Sequence, residues 1–129
     1  MGCMRRLLAI MALAALASGC ASINSRTHAY LGVPGFAPTQ PEKVQILTAE
    51  PKTRQHERLG EIFLDIGGSP SKAAMEERLR KEAAKLGADA VFVLKDEMHV
   101  FPVVYVDWWG PLYSQDARRA IIAVAIKFK

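Results

Sequence analysis

The segment from Ala120 to Phe128 constrains the fold most, because it is apolar on both sides of a two-residue repeat. Ile122, Val124, Ile126 and Phe128 fall on one side, and Ile121, Ala123 and Ala125 on the other. A strand of this kind needs cover on both faces, unlike an alternating strand with one wet face. Ala90-Val91-Phe92-Val93-Leu94 has the same character and reads as a central strand. Val44 and Ile46 alternate with polar neighbours as a short strand, and Ile62, Leu64 and Ile66 share one face of another. Met98 to Val106 reads as a further strand, separated from the last by a loop, Trp108-Trp109-Gly110-Pro111-Leu112-Tyr113, in which Gly110-Pro111 marks the turn.

One helix is expected between the second and third of these strands. Gly67-Gly68-Ser69-Pro70 ends the strand, with Ser69 as N-cap and Pro70 in the first helical position, where its missing N–H does no harm. Met75, Leu79, Ala83 and Leu86 form an apolar stripe at helical spacing, and Gly87 supplies a left-handed C-terminal cap. Glu76 with Arg80 and Glu77 with Lys81 have the spacing of outward-facing ion pairs. The expected fold is α+β: a mixed sheet of about five strands with one principal helix packed on one face. A single helix covers a single face, so the tether, the aromatic loop or another subunit must cover the other.

The rest of the chain organises around this domain, expected over residues 42–129. Residues 20–41 carry Gly32, Pro34, Gly35, Pro38 and Pro41 with almost no charge and read as an extended tether. The loop holding Lys52, Arg54, His56, Glu57 and Arg58 reads as solvated surface.

Residues 1–19 read as a leader. Arg5 and Arg6 precede an apolar run, Leu7 to Leu16, that is shorter than the ~20 residues of a spanning helix. The run ends in Leu16-Ala17-Ser18-Gly19-Cys20, which resembles the lipobox of bacterial lipoproteins. That resemblance implies cleavage before Cys20, acylation of Cys20 and a covalent lipid anchor. Ala21, which is not acidic, then implies delivery to the outer membrane rather than the inner. Arg5 and Arg6 supply two of the four net positive charges, and no basic cluster with interleaved aromatics remains, so nucleic acid is not an expected partner.

Leu59-Gly60-Glu61-Ile62, the helix end Glu82-Ala83-Ala84-Lys85-Leu86-Gly87 and the following Ala88-Asp89-Ala90-Val91 resemble two groups of proteins. One is the family of small oligomeric domains associated with heavy-metal binding. The other is the outer-membrane lipoprotein type that senses envelope stress for the Rcs phosphorelay. The similarity covers residues 43 to 95. The stress-sensor resemblance implies disulfides within the domain, and this chain has no cysteine after Cys20. His28, His56 and His99 are widely separated and lack the spacing of a metal site.

No local signature pairs a nucleophile with a base, and Asp65, Asp96, Glu97, Asp107 and Asp116 would form a carboxylate pair only through tertiary proximity. The expectation is a non-enzymatic, membrane-anchored envelope lipoprotein, without metal or cofactor, that acts as a binding or stress-sensing module. Its partner would be an envelope protein or further copies of itself. A homo-oligomeric structural or assembly subunit is the alternative reading, with a metal-binding or hydrolytic domain behind it. Beyond Cys20 for lipidation, Trp108, Trp109 and Tyr113 are the candidate binding residues, since large aromatics in a loop offer rigid contact area.

Overall fold

The computed structural model describes residues 21–129. Five strands form one mixed sheet, with β1 at Ser22–Ala29, β2 at Gln45–Leu47, β3 at His56–Gly67, β4 at Ala90–Asp107 and β5 at Gly110–Phe128. Among the described residues one α-helix, α1 (Lys72–Lys85), packs on one face, and a 3-10 turn spans Pro41–Lys43. Across the sheet the order is β1-β3-β5-β4-β2, with β2 parallel to β4 and every other pair antiparallel. The α+β class with one helix on the sheet is therefore as expected. β3 starts at His56 instead of Glu61 and β5 at Gly110 instead of Ala120, which takes residues of both expected loops into strands, and two further strands differ in their make-up.

The first difference is β1. The segment read as a tether starts with a strand that pairs along β3 from Ser22 opposite Gly67 to Ala29 opposite Gly60. Its Ile23, Ser25 and Thr27 are half-buried while their neighbours are exposed. An edge strand with a polar outer face needs little apolar sequence, and serine and threonine alternation carries a weaker signal than valine and isoleucine. The second difference is β4. Ala90–Leu94 and Met98–Val106 are one strand, kept continuous through Lys95, Asp96 and Glu97 by a bulge at Leu94.

Helix α1 is capped at Ser71, not at Ser69: the Ser71 Oγ accepts a hydrogen bond from Ala74 N at 3.1 Å, and Pro70 lies just outside the helix. The C-terminal end follows the expectation. Gly87 has φ +76°, its N–H donates to Ala84 O at 3.0 Å, and Ala88 N donates to Ala83 O at 3.1 Å. A side chain at Gly87 is excluded twice over, since a Cβ there would lie 2.6 Å from Phe36 Cβ and 2.7 Å from Ala37 O. Glu76 pairs with Arg80 at 4.0 Å and with Lys72 at 3.7 Å, whereas no ion pair joins Glu77 to Lys81 among the described residues.

The main core lies between α1 and the sheet. Met75, Leu79 and Ala83 meet Ile62, Leu64 and Ile66 of β3, Val91 of β4, and Ala123 and Ala125 of β5, with Leu86 half-buried at the margin. Each large aliphatic side chain so buried contributes about 1.5–3 kcal/mol. On the opposite face Phe92, Val124 and Ile126 are also buried, with Tyr30, Leu47 and Phe128 packed beside them. Tyr30 reaches this face from the end of β1 and donates to Glu61 Oε1 at 2.9 Å. The β2–β3 connection crosses it as well: the Arg54 guanidinium sits 3.6 Å over the Phe128 ring. The charged loop is therefore a partial lid on the second face, held by its own ion pairs.

Candidate functional site

Beyond the pair Gly67 and Arg118, β3 ends and β4 and β5 continue alone. Residues from Val100, opposite Ala117, to Asp107, opposite Gly110, hydrogen-bond only to each other, forming a two-stranded arm that projects from the sheet. The seven residues Val100–Val106 are all apolar or proline apart from the Tyr105 hydroxyl, and five of the side chains between Val100 and Val106 are among the exposed large hydrophobics.

The arm turns at Trp108-Trp109, not at Gly110-Pro111. Asp107 and Gly110 build this turn: Asp107 Oδ1 accepts a hydrogen bond from Trp109 N at 2.8 Å, and Gly110 takes φ +120°, which side-chain-bearing residues rarely adopt. An Asp-x-x-Gly frame between two β-rich runs was the signal for a hairpin, and the following Gly-Pro pair obscured it. The two indoles are consequently held at the tip, 95% exposed for Trp108 and 92% for Trp109. Tyr113, 80% exposed, stands lower on β5 opposite Val104. All three aromatic residues singled out in the sequence thus belong to one protrusion, and none covers the sheet.

Both faces of the arm are apolar. Val100, Val104, Val106 and Tyr113 share one face through the pairs Val100–Ala117, Val104–Tyr113 and Val106–Pro111. Phe101, Tyr105 and Leu112 share the other. No charged residue occurs from Val100 to Val106 or from Trp108 to Gln115. Asp107 at the tip and Asp116, opposite Phe101 at the base, bound these runs, and further charge follows where the arm joins the sheet. Arg118 pairs with Asp65 at 2.9 Å on one face, and Arg119 pairs with Asp96 on the other, its Nε donating at 2.7 Å. The Asp96 carboxyl is held below its usual pKa by the Arg119 hydrogen bonds, so this pair stays ionised.

The remaining titratable residues lie apart. His28 meets the edge of the Phe63 ring at 5.8 Å, and His99 stacks on Phe101 at 6.2 Å. His56 bridges Glu50 Oε1, at 2.9 Å, and Arg54 O, at 2.8 Å. Both ring nitrogens face oxygen, chiefly that of Glu50, and this raises the His56 pKa above 6.5. Among the described residues no three His, Cys, Asp or Glu side chains come together as metal ligands. Nor is any helix among the described residues long and apolar enough to cross a membrane. Cys20 lies outside the described residues. Comparison with protein-family models, with curated proteins and with solved structures returns no match to the chain.

Proposed function

We propose that this protein is a non-enzymatic envelope lipoprotein, anchored at the outer membrane through acylated Cys20, that works as a binding or stress-sensing module through its β4–β5 arm. The observation that carries the reading is the arm itself. A water-exposed ribbon with aromatic residues on its faces and two indoles at its tip adds little to the core, and two strands without further cover are marginal in water. Contact with another molecule gives such a ribbon its missing cover. The lipobox resemblance at Leu16–Cys20 supplies the anchor and the compartment.

The test has two parts. Cys20→Ala should block processing and membrane retention, and wild-type protein found unacylated in the soluble periplasmic fraction would refute the anchor. A photo-crosslinking amino acid in place of Tyr113 should capture an envelope component in cells, whereas the same probe at exposed Lys72, on α1, should not. Equal crosslinking from both positions would refute the arm as the binding surface.

A second reading, a homo-oligomeric assembly subunit, is favoured by the free strand edges of the arm, since β4 and β5 have no other partner strand along Val100–Ala117. The mass of the purified chain in solution distinguishes the two.

A further inference from the structure

The arm and the start of the described chain lie at the same end of the sheet. Ser22 is opposite Gly67, Gly67 is opposite Arg118, and Arg118 is opposite His99, so one row across four strands joins the start of β1 to the base of the arm. Cys20 precedes Ser22 by two residues, a reach of at most ~7 Å of backbone. No long tether separates the two. Acyl chains on Cys20 would bring the bilayer to the end of the domain from which the arm projects. The opposite end, with the β2–β3 connection and Phe128, would face away.

We propose that the β4–β5 arm docks on the lipid bilayer and lays its tryptophan tip into the interfacial zone of the leaflet that holds the Cys20 acyl chains. This rests on the lipoprotein reading above and adds the occupant of the arm. Three properties select lipid over a protein partner. The apolar surface covers both faces, and a partner seated on one face would leave Phe101, Tyr105 and Leu112, or Val104, Val106 and Tyr113, in water. A bilayer surrounds both faces at once. Charge on the arm is confined to its two ends, Asp116 at the base opposite Phe101 and Asp107 at the tip, whose carboxylate is engaged by Trp109 N, while Val100–Val106 and Trp108–Gln115 between them carry none. Finally, indole rings favour the boundary between headgroups and acyl chains, where an apolar body and an N–H donor are both accommodated.

The depth of insertion follows from the backbone. From Val100 to Asp107 the arm measures roughly 24 Å at ~3.4 Å per residue, close to the ~30 Å of a hydrocarbon core. A lone ribbon cannot span it, because the unpaired N–H and C=O groups along both edges would have no partners in hydrocarbon. The arm therefore lies obliquely in the interface, where water and headgroups reach its edges.

Trp108 and Trp109 are the only tryptophans in the chain, so intrinsic fluorescence reads the tip without a label. The processed, acylated protein is reconstituted into vesicles of phosphatidylethanolamine and phosphatidylglycerol, with and without brominated acyl chains, and the attached lipid is verified by mass. The proposal expects blue-shifted emission, loss of emission to brominated lipid and protection from aqueous iodide. In the Val104→Asp, Tyr105→Asp double variant, the anchored protein should return to red-shifted emission open to iodide. Wild-type emission that stays open to iodide on acylated, vesicle-bound protein overturns the proposal and leaves the anchor intact. Shielding from iodide and brominated lipid alike, with crosslinked dimers, also overturns it and assigns the arm to a second copy. Absence of acyl chains overturns the anchor alone; lipid quenching on adding vesicles to such protein still supports the arm, and its absence refutes it.

Discussion

Thr27 Oγ1 of β1 donates a 2.8 Å hydrogen bond to the Glu82 carboxylate of α1, tying the edge strand to the helix across 55 residues of chain. Ser25 Oγ donates to the other carboxylate oxygen at 3.1 Å and itself accepts from Arg78 Nε at 2.9 Å, while Lys85 Nζ reaches Glu82 at 3.0 Å. Glu82 is 6% exposed. Burial pushes its pKa up, but the hydrogen bonds from Lys85, Thr27 and Ser25 together prevail, and the net shift is below 4.5. This polar cluster fastens β1 where an apolar edge strand would have used packing.

Glu82→Ala should therefore loosen β1 and cost about 1–3 kcal/mol, the range for orphaning buried hydrogen-bonding groups. Chemical denaturation measures the cost. Hydrogen exchange on Ser25 and Thr27 should rise more than exchange on Val124. Unchanged protection of β1 would mean that its backbone pairing with β3 suffices.

Leu79 is 3% exposed under the helix, so Leu79→Ala should cost about 2–5 kcal/mol, as expected for truncating a buried leucine. Glu76→Ala, which removes two long ion pairs on the partly exposed flank of the helix, should cost under about 1 kcal/mol. Comparable shifts of the denaturation midpoint for the two would place the helix in the wrong rotation.

Gly87→Ala should destabilise by at least about 1 kcal/mol, because a Cβ is unfavourable at φ +76° and would also strike the Phe36–Ala37 segment. Gly35→Ala is the control, since a Cβ there meets nothing within 4 Å. Equal thermal midpoints for both variants would contradict the cap geometry.

The Glu50–His56–Arg58 cluster makes stability depend on pH at two ends. Hydrogen bonds from Arg58 and then His56 lower the Glu50 pKa to about 2 from 4.5. Its contribution is present above 4.5 and is lost as pH falls toward 2. His56 is shifted upward, so its contribution is complete below 6.5 and is lost as pH rises through the folded value. Thermal midpoints measured across pH should fall on the alkaline side of 6.5 in wild type, and less so in His56→Gln. Identical alkaline profiles would contradict the assignment.

The helix, its glycine cap and the two-faced part of β5, Ala120 to Phe128, were legible because each carries a local signal: a 3.6-residue stripe, a positive-φ glycine and a run without polar alternation. β1 was not, because its place depends on distant partners: the β3 ladder, and for Ser25 and Thr27 the Glu82 carboxylate 57 and 55 residues away. The continuity of β4 was hidden by Lys95, Asp96 and Glu97. These read as a break, although the Leu94 bulge keeps the strand paired and Lys95 and Asp96 find partners in Glu97 and Arg119. The Trp108–Trp109 turn was missed for a similar reason, with Gly110-Pro111 offering a more obvious stop. The aromatic residues themselves were identifiable, and it is the long arm beneath them that needed the pairing register.

On the proposed function, the tip of the arm is a contact surface and no part of the core. Trp108→Ser together with Trp109→Ser tests this most directly, with thermal unfolding and envelope crosslinks recorded on the same variant. The predicted result is a melting midpoint within a few degrees of wild type, because residues outside the core leave no cavity, accompanied by loss of the crosslinks formed from Tyr113. A collapse of stability, or crosslinks that persist unchanged, would contradict it.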